Sequence, residues 1–378
     1  MSSSASIQRP LPEHRYADQL RALVLADEAN NGRPRPPGWR LSPRAVADFI
    51  VGLDEPLPLP DGGSVEIDRK FYGDDPLVER AVVTLTTMRG LMLIGEPGTA
   101  KSMLSELLAV AVCGSSTLTI QGSAAATEDQ IRYGWNYATL MAHGPVPEAL
   151  VPAPLYVAMR EGRIVRFEEI TRCPPEVQDV LLSPLSERLL FIPELEGQPE
   201  GMVAARPGFN VIATANTRDR GVNDMSAALK RRFNFETVRP IQSAALELAL
   251  VKRQTDAALA EVGVPVTLER DVASLLVTTF QELRAGVTAE GERLEKPSTP
   301  MSTAEAVAVA ISSGMHAYYF GDQKITADHV VRHLGGAALK DDPDDRKRLN
   351  GYFDRVVRRR AKDDPLWAAW HDARRWLS

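Results

Sequence analysis

Residues 91–102 read LMLIGEPGTAKS, and this stretch constrains the fold more than any other part of the chain. Four apolar residues run into Gly95, and Lys101 and Ser102 close the segment. Loops that surround a phosphate with backbone N–H groups at the start of a helix have a known pattern. It consists of a glycine, any four residues, a second glycine, a lysine and then serine or threonine. The stretch therefore predicts a buried strand, a phosphate-binding loop and a helix, in that order.

The loop departs from the pattern at Ala100, which occupies the position of the second glycine. A methyl group there is tolerable at negative φ and costs about 1 kcal/mol if the loop requires positive φ. Lys101 would reach the β- and γ-phosphates of ATP, and the Ser102 hydroxyl would hold Mg²⁺. The alternative is a chance match in a tight turn. The residues predicted to bind the nucleotide are Gly95, Glu96, Pro97, Gly98, Thr99, Ala100, Lys101 and Ser102.

Further along the chain, short apolar strands alternate with helices. The segments STLTIQG, RIVRFEE and FNVIATAN read as buried strands, and PPEVQDVLLSPLSERL reads as one helix between the second and the third of them. Such an alternation is typical of a parallel sheet that is covered by helices on both faces. We therefore expect an α/β fold.

Three regions follow from this pattern. Residues 1–70 form a short helical N-terminal extension with Pro-rich linkers, and its first few residues are expected to be disordered. Within it, Ser42 is a candidate helix cap and Pro43 a candidate first helical residue. Residues 71–240 carry the α/β pattern, and residues 241–378 are predicted to be helical with a basic C-terminal tail.

Two acids stand at the carboxyl end of the strand RIVRFEE. Hydrolysis of ATP needs one carboxylate near Mg²⁺ and a second that orients or deprotonates water. Glu168 would lie beside the metal and Glu169 would face the water, although Arg166 interrupts the apolar run. Asn216, at the end of FNVIATAN, could hold the same water. The alternatives are a solvated strand end for the acids and a turn residue for the asparagine.

Three basic residues, Lys230, Arg231 and Arg232, lie between an apolar helix and an apolar strand in SAALKRRFNFETV. One of them could act as an arginine finger, which stabilises negative charge on a γ-phosphate held by a neighbouring subunit. The alternative is a solvated basic face.

Composition and charge exclude several classes of protein. The net charge of −6 argues against nucleic-acid binding through a globally basic surface, and two cysteines argue against a disulfide framework. The start of the chain lacks the apolar core of a signal peptide, and no apolar run is long enough to span a bilayer. We expect a cytoplasmic protein without a membrane partner. The basic tail from Arg346 onward reads as a solvated helix face, with an acidic partner or nucleic acid as the alternative.

Taken in this order, the motifs resemble those of the MoxR family of AAA+ ATPases from about Phe71 to Val238, with a weaker match through the C-terminal helices. GEPGTAKS is similar to the Walker A motif of that family, in which alanine before the lysine is familiar, and FEEITRCPPEVQ is similar to its Walker B motif. The resemblance implies a P-loop AAA+ core, in which a parallel sheet is flanked by helices, and a helical lid domain over residues 241–378.

The resemblance also implies roles for single residues. Those matches are Glu168 and Glu169 for the Asp–Glu pair of Walker B, Asn216 for sensor 1, Arg232 for the arginine finger with Arg231 as a close competitor, and Tyr72 and Gly73 for the segment that contacts adenine. The family further implies ATP and Mg²⁺ as cofactors, a ring that is usually a hexamer, and a chaperone-like remodelling activity. The partner it implies is a protein with a von Willebrand factor A-type domain.

Two departures from the family pattern motivate other hypotheses. Walker B carries Glu168 where aspartate is usual, and Ala304 or Glu305 stands where many relatives carry the sensor 2 arginine. A nucleotide-gated scaffold or switch that binds ATP and hydrolyses little of it is the second hypothesis. The ATPase subunit of a chelatase-like or nucleic-acid-processing machine is the third.

Residues 120–144 form a long polar stretch that contains several aromatic side chains. In a ring this segment would lie near the central pore, with Tyr133, Trp135 or Tyr137 as substrate-gripping residues. A long surface loop is the alternative.

Overall fold

The computed structural model describes residues 10–29, 34–60, 62–216, 223–340 and 342–377. The expected disorder of the first few residues falls on residues 1–9, which lie outside these ranges.

The strands alternate with helices through the first 240 residues, and helices alone follow. The strands are β1 (Leu57–Pro58), β2 (Ser64–Val65), β3 (Gly90–Gly95), β4 (Thr119–Gln121), β5 (Tyr133–Trp135), β6 (Leu150–Pro152), β7 (Ile164–Glu168), β8 (Leu189–Phe191), β9 (Met202–Ala204), β10 (Asn210–Asn216) and β11 (Phe233–Val238). The α-helices are α1 (Pro12–Arg15), α2 (Ala17–Ala29), α3 (Pro43–Val51), α4 (Asp75–Leu85), α5 (Lys101–Cys113), α6 (Tyr137–His143), α7 (Pro154–Glu161), α8 (Pro175–Gln178), α9 (Leu182–Ser186), α10 (Ala227–Lys230), α11 (Ala244–Glu261), α12 (Arg270–Ala285), α13 (Thr303–Phe320), α14 (Ala327–His333), α15 (Pro343–Tyr352), α16 (Arg358–Arg360) and α17 (Pro365–Asp372).

Five parallel strands form the central sheet, in the order β11-β3-β10-β7-β4. Because the strands run in the same direction, their carboxyl ends meet at one edge of the sheet, where ligands bind in open α/β folds. The sheet confirms the predicted α/β fold.

Alternate residues of the strands pack into two different cores. Leu91 and Leu93 of β3 are buried with α3, α4 and α5 on one face, whereas Met92 is buried with α7 on the other. This alternation follows from the period of two residues in a strand and covers both faces of the sheet with helices.

The described part of the N-terminal extension packs into the first of these cores. Leu20 of α2 and Phe49 of α3 are fully buried there. The helix α3 begins as predicted, because the Ser42 hydroxyl accepts a hydrogen bond from the backbone N–H of Ala45 at 3.2 Å and Pro43 is the first helical residue.

The prediction of one continuous helix in PPEVQDVLLSPLSERL is wrong. The structure has α8, a 3₁₀ turn at Asp179–Leu181, and then α9. Pro184 explains the break, because proline has no N–H to bond the carbonyl four residues earlier in a continuous helix.

For residues 120–144, the alternative of a long surface loop is wrong. The strand β5 pairs antiparallel with β6, and α6 lies between them in the chain. Tyr133 is buried and Tyr137 is exposed. The substrate-gripping role of this segment stays a prediction.

The chain forms two compact units. The first comprises residues 1–95 and 100–238, and the second comprises residues 96–99 and 239–378. In the second unit, the helices α11 to α17 surround a core of their own, which includes the fully buried side chains of Phe280, Tyr352 and Trp370. Part of the basic tail belongs to this unit's interior, since Arg360 pairs with Glu282 at 2.7 Å and both side chains are largely buried.

Asp345 fastens a loop of the second unit to α15. Its fully buried carboxylate accepts hydrogen bonds from the backbone N–H groups of Ser298 and Thr299 at 2.7 and 2.9 Å and pairs with Arg348 at 2.6 Å. Burial alone would raise the pKa of Asp345, but the hydrogen bonds from Ser298, Thr299 and Arg348 lower it to about 2.

We predict that Asp345→Asn lowers the free energy of unfolding at pH 7 by about 2 kcal/mol. The folded-state pKa lies below the unfolded value near 4, so this stabilisation is complete above pH 4 and is lost as the pH falls through 2. Denaturant unfolding at several pH values should therefore show the gap between wild type and variant narrowing below pH 4. The exposed neighbour Asp344 provides the control, because Asp344→Asn should change stability little at any of these pH values. A gap that is independent of pH would contradict the role given to Asp345.

Candidate functional site

The carboxyl ends of neighbouring strands bring the predicted site residues of the first unit together. The strand β3 ends at Gly95, β7 at Glu168 and β10 at Asn216. Asn216 pairs in register with Gly95, and Glu169 directly follows β7. These residues therefore lie along one edge of the sheet, as their positions in the sequence predict, while their chemical roles stay predictions.

The loop between β3 and α5 contains two residues in the left-handed backbone region. Gly98 has φ of 76° and Ala100 has φ of 64°. Within the loop, the Thr99 hydroxyl donates to the carbonyl of Glu96 at 2.9 Å. Ala100 therefore has the positive φ that is costly for alanine, because a β-carbon is disfavoured there.

The helix α5 begins at Lys101 and carries the two motif residues in its first turn. The buried Lys101 side chain donates to the carbonyl of Gly95 at 3.1 Å. The Ser102 hydroxyl donates to Oε2 of Glu168 at 2.7 Å. The two residues predicted to lie beside the metal are therefore in direct contact.

Glu168 is 5% exposed, and four donors surround its carboxylate. Ser105 and Arg166 donate to Oε1 at 2.6 and 2.8 Å, and Ser102 and Thr214 donate to Oε2 at 2.7 and 2.8 Å. Burial alone would raise the pKa of Glu168, but the hydrogen bond from Ser105, the charge of Arg166 and the hydrogen bonds from Ser102 and Thr214 hold it below its ordinary value. The group is therefore an anion at neutral pH.

Arg166 does more than interrupt the apolar run of β7. It lies two residues before Glu168, so both side chains point to the face of the sheet that α5 covers. Its guanidinium donates to the Ser105 hydroxyl at 3.0 Å, the Ser116 carbonyl at 3.1 Å, the Thr119 hydroxyl at 3.3 Å, the Ser102 carbonyl at 3.2 Å and Glu168 Oε1 at 2.8 Å.

Glu169 has a different environment from Glu168. Its φ of 55° is left-handed, and its backbone N–H donates to the Thr214 hydroxyl at 2.9 Å. Its partly exposed carboxylate pairs with Arg172 at 3.1 Å and accepts a hydrogen bond from Gln121 at 3.3 Å. A half-exposed carboxylate at the strand end can meet water, as a base or water-orienting residue has to.

Two residues that support the acids were missed by the sequence analysis. Thr214 binds the side chain of Glu168 and the backbone of Glu169, and its position two residues before Asn216 on the same face of β10 was the available signal. Gly122 donates its N–H to the carbonyl of Glu168 at 2.7 Å, and any β-carbon there would overlap the Glu169 carbonyl oxygen.

The structure does not bring Arg231 and Arg232 to the acids within one chain. Both precede β11, whose first residue pairs with Gly90 at the amino end of β3, and β11 reaches Gly95 only at Val238. The five steps along this strand separate the two ends by roughly 17 Å.

The two arginines differ in how the chain holds them. Arg232 is half-buried and donates to the Ser186 hydroxyl at 2.7 Å and the Ala228 carbonyl at 2.8 Å. Arg231 is exposed and donates to the Ala227 carbonyl at 3.2 Å.

Tyr72 and Gly73 lie just before α4, where the tyrosine is half-buried and the glycine exposed. A β-carbon at Gly73 would overlap the ring of Phe71. Contact of this segment with adenine stays a prediction.

The oxygen ligands that the site offers fit Mg²⁺ better than a transition metal. Ser102 and Glu168 offer hydroxyl and carboxylate oxygens, and Mg²⁺ typically takes one or two protein ligands while phosphates and water supply the rest. Within the described ranges, no cluster of three or more His, Cys, Asp or Glu side chains could hold a metal by itself.

Two family descriptions match the chain. "AAA domain (dynein-related subfamily)" matches residues 90–233, and "YehL-like AAA+ ATPase C-terminal domain" matches residues 245–378. A relative from Escherichia coli (strain K12), named "Uncharacterized protein YehL", is 50% identical over 374 residues that make up 98% of each chain. The chain belongs to the YehL family of AAA+ ATPases. Another relative, SH1500 of Staphylococcus haemolyticus, is 28% identical over 42% of this chain and 59% of its own length.

Two solved structures are similar to this YehL-family chain at much lower sequence identity. NtrX from Brucella abortus, in complex with ADP, has a TM-score of 0.47 and 14% identity over 80% of this chain and 68% of its own. RuvB from Thermotoga maritima has a TM-score of 0.42 and 15% identity over 76% of this chain and 78% of its own.

Among the helices that the structure describes, none combines the length and the apolar character that a membrane crossing requires.

The strained loop residue gives the first prediction for this site. Ala100→Gly should raise the free energy of unfolding by about 1 kcal/mol, because glycine adopts positive φ without a steric cost. Ala109→Gly, a matched change inside α5, should lower it by about 1 kcal/mol or more. Denaturant unfolding measures both, and a destabilised Ala100→Gly variant would contradict the assigned strain.

The second prediction for this site concerns the close approach of Gly122 to the backbone carbonyl of Glu169. Gly122→Ala should lower the free energy of unfolding by about 2 kcal/mol, since the backbone carrying Glu169 has to shift. Gly134→Ala is the control, because the nearest heavy atom to a β-carbon there is 3.7 Å away. Equal melting temperatures for the two variants would contradict the packing argument.

Proposed function

We propose that the chain binds ATP with Mg²⁺ and hydrolyses it to ADP and phosphate. The observation that carries the proposal is the convergence of the phosphate loop, the buried Glu168 and the partly exposed Glu169 at one edge of the sheet. Membership of an AAA+ ATPase family supports the same activity.

In this proposal each residue of the edge has one task. Lys101 and the loop's backbone N–H groups bind the phosphates, and Ser102 with Glu168 would hold Mg²⁺, which neutralises phosphate charge when bound. Glu169 orients or deprotonates the attacking water, and Asn216 helps to position it. Tyr72 and Gly73 contact the adenine.

The position of the arginines supports a site completed by a second subunit. Because Arg231 and Arg232 lie at the far end of the sheet, a finger for the γ-phosphate would have to come from a neighbouring copy. We therefore propose a ring, a hexamer as in the MoxR family, that remodels a protein partner in the cytoplasm. That partner would carry a von Willebrand factor A-type domain.

A nucleotide-gated switch is the second candidate, and one contact favours it. Arg172 pairs with the carboxylate of Glu169 at 3.1 Å and would have to release it before water could be activated. Tight ATP binding with turnover well below about one per minute would favour the switch over the motor.

The role of Glu169 is tested by Glu169→Gln. We expect turnover to fall by about 100-fold or more while ATP still binds, because the amide cannot accept a proton from water. Glu176→Gln in α8 changes an exposed acid nearby and should leave turnover unchanged. Steady-state phosphate release and nucleotide titration measure the two quantities. Unchanged turnover in Glu169→Gln would remove Glu169 from the mechanism.

The finger is tested by alanine at each of the three consecutive basic positions. We expect Arg232→Ala, or Arg231→Ala in its place, to lower turnover about 1,000-fold with little change in ATP affinity. Lys230→Ala should have the turnover of wild type, because a lysine carries a charge but lacks the guanidinium fork. If both arginine variants keep full turnover, the site is not completed by this segment.

A further inference from the structure

Arg166 has no task in the function proposed above, although it contacts Glu168 directly. It is 8% exposed, and each of its five N–H donors has an acceptor within 3.3 Å. A buried guanidinium is costly unless its donors are satisfied and its charge is paired. Both conditions are met here, so the guanidinium is fixed between α5 and the strands β4 and β7.

The two oxygens of Glu168 have different partners. Arg166 and Ser105 hold Oε1, whereas Ser102 and Thr214 hold Oε2. A carboxylate accepts at about four lone-pair positions, so these four bonds leave it one orientation. Arg166 thus anchors the oxygen that does not contact Ser102, and the other oxygen stays directed at Ser102.

This arrangement accounts for glutamate at a position where aspartate is usual. From the same backbone position, an aspartate carboxylate is one methylene shorter. We expect it to lose one of its two partners, either the guanidinium of Arg166 or the hydroxyl of Ser102. The longer side chain of Glu168 reaches both at 2.8 and 2.7 Å.

We propose that Arg166 is a positioning residue, which holds Oε1 of Glu168 so that Oε2 faces Ser102, where the divalent cation that accompanies the nucleotide would replace one of the donors to Oε2. The inference rests on the proposed function, because it assigns Arg166 a part in the same ATP site. Arg166 acts through Glu168, in the way that residues around metal ligands commonly orient them.

The test measures how nucleotide affinity depends on Mg²⁺, without hydrolysis. A fluorescent, non-hydrolysable ATP analogue is titrated into the full-length protein in EDTA and at a series of MgCl₂ concentrations. This gives an affinity without metal and a half-maximal Mg²⁺ concentration. The variants are Glu168→Asp and Arg166→Lys.

We expect Glu168→Asp to raise the half-maximal Mg²⁺ concentration about 10-fold or more, with nucleotide affinity in EDTA unchanged. Arg166→Lys should resemble Glu168→Asp, because lysine keeps the charge and loses the fork that binds Ser105 and Glu168 together.

Arg284→Lys is the matched control, because Arg284 also forms a largely buried pair, with Glu247 in the second unit at 2.7 Å. It should lower the melting temperature and leave the Mg²⁺ dependence unchanged. If Arg166 has a purely structural role, Arg166→Lys should also lower the melting temperature and leave the Mg²⁺ dependence unchanged. That result would overturn the inference.

A Glu168→Asp variant with the Mg²⁺ dependence of wild type would also overturn it. Failure of the proposed function looks different, since wild type itself would then bind the analogue equally well in EDTA and in MgCl₂, or not at all.

Discussion

The ion pair between Arg166 and Glu168, buried beneath α5, is the interaction on which the site depends. A carboxylate and a guanidinium removed from water are stable only if their remaining hydrogen-bonding positions are satisfied. Here α5 supplies Ser102 and Ser105, and β10 supplies Thr214. The charge pair therefore fixes the spacing between the phosphate-loop helix and two strands of the sheet. The proposed binding of phosphate charge at this site requires that spacing to be rigid.

Among the described residues, two of the six non-glycine residues with positive φ lie beside this centre. Ala100 and Glu169 are both non-glycine residues with positive φ, and each stands next to a side chain with a proposed role. Such conformations persist where surrounding contacts determine them, and they are common at functional sites. For Glu169 the contacts are the hydrogen bond of its N–H with Thr214 and the tight approach of Gly122 to its carbonyl. The strand ends thus hold the two acids in different environments, one buried and one open to water.

Much of this could be predicted from the sequence, because the site consists of short motifs at the ends of apolar strands. The phosphate loop, the acid pair and Asn216 are local patterns, and a parallel sheet places strand ends side by side. Arg166 could not be interpreted in this way, since its acceptors come from α5 and β4 and only the folded chain brings them within 3.3 Å. The sign of φ at Ala100 could not be predicted for a similar reason, because the loop around the residue sets that angle. Pro184, by contrast, was a local signal against one long helix that the apolar pattern obscured.

One edge of the sheet is proposed to form an ATPase site that a second subunit completes. The decisive measurement is the specific turnover of ATP against protein concentration in MgCl₂. We expect turnover per chain to rise with concentration and then to reach a plateau as the oligomer forms. Turnover per chain that is independent of concentration while the protein stays monomeric would contradict it, and so would ATP that binds without being hydrolysed at any concentration.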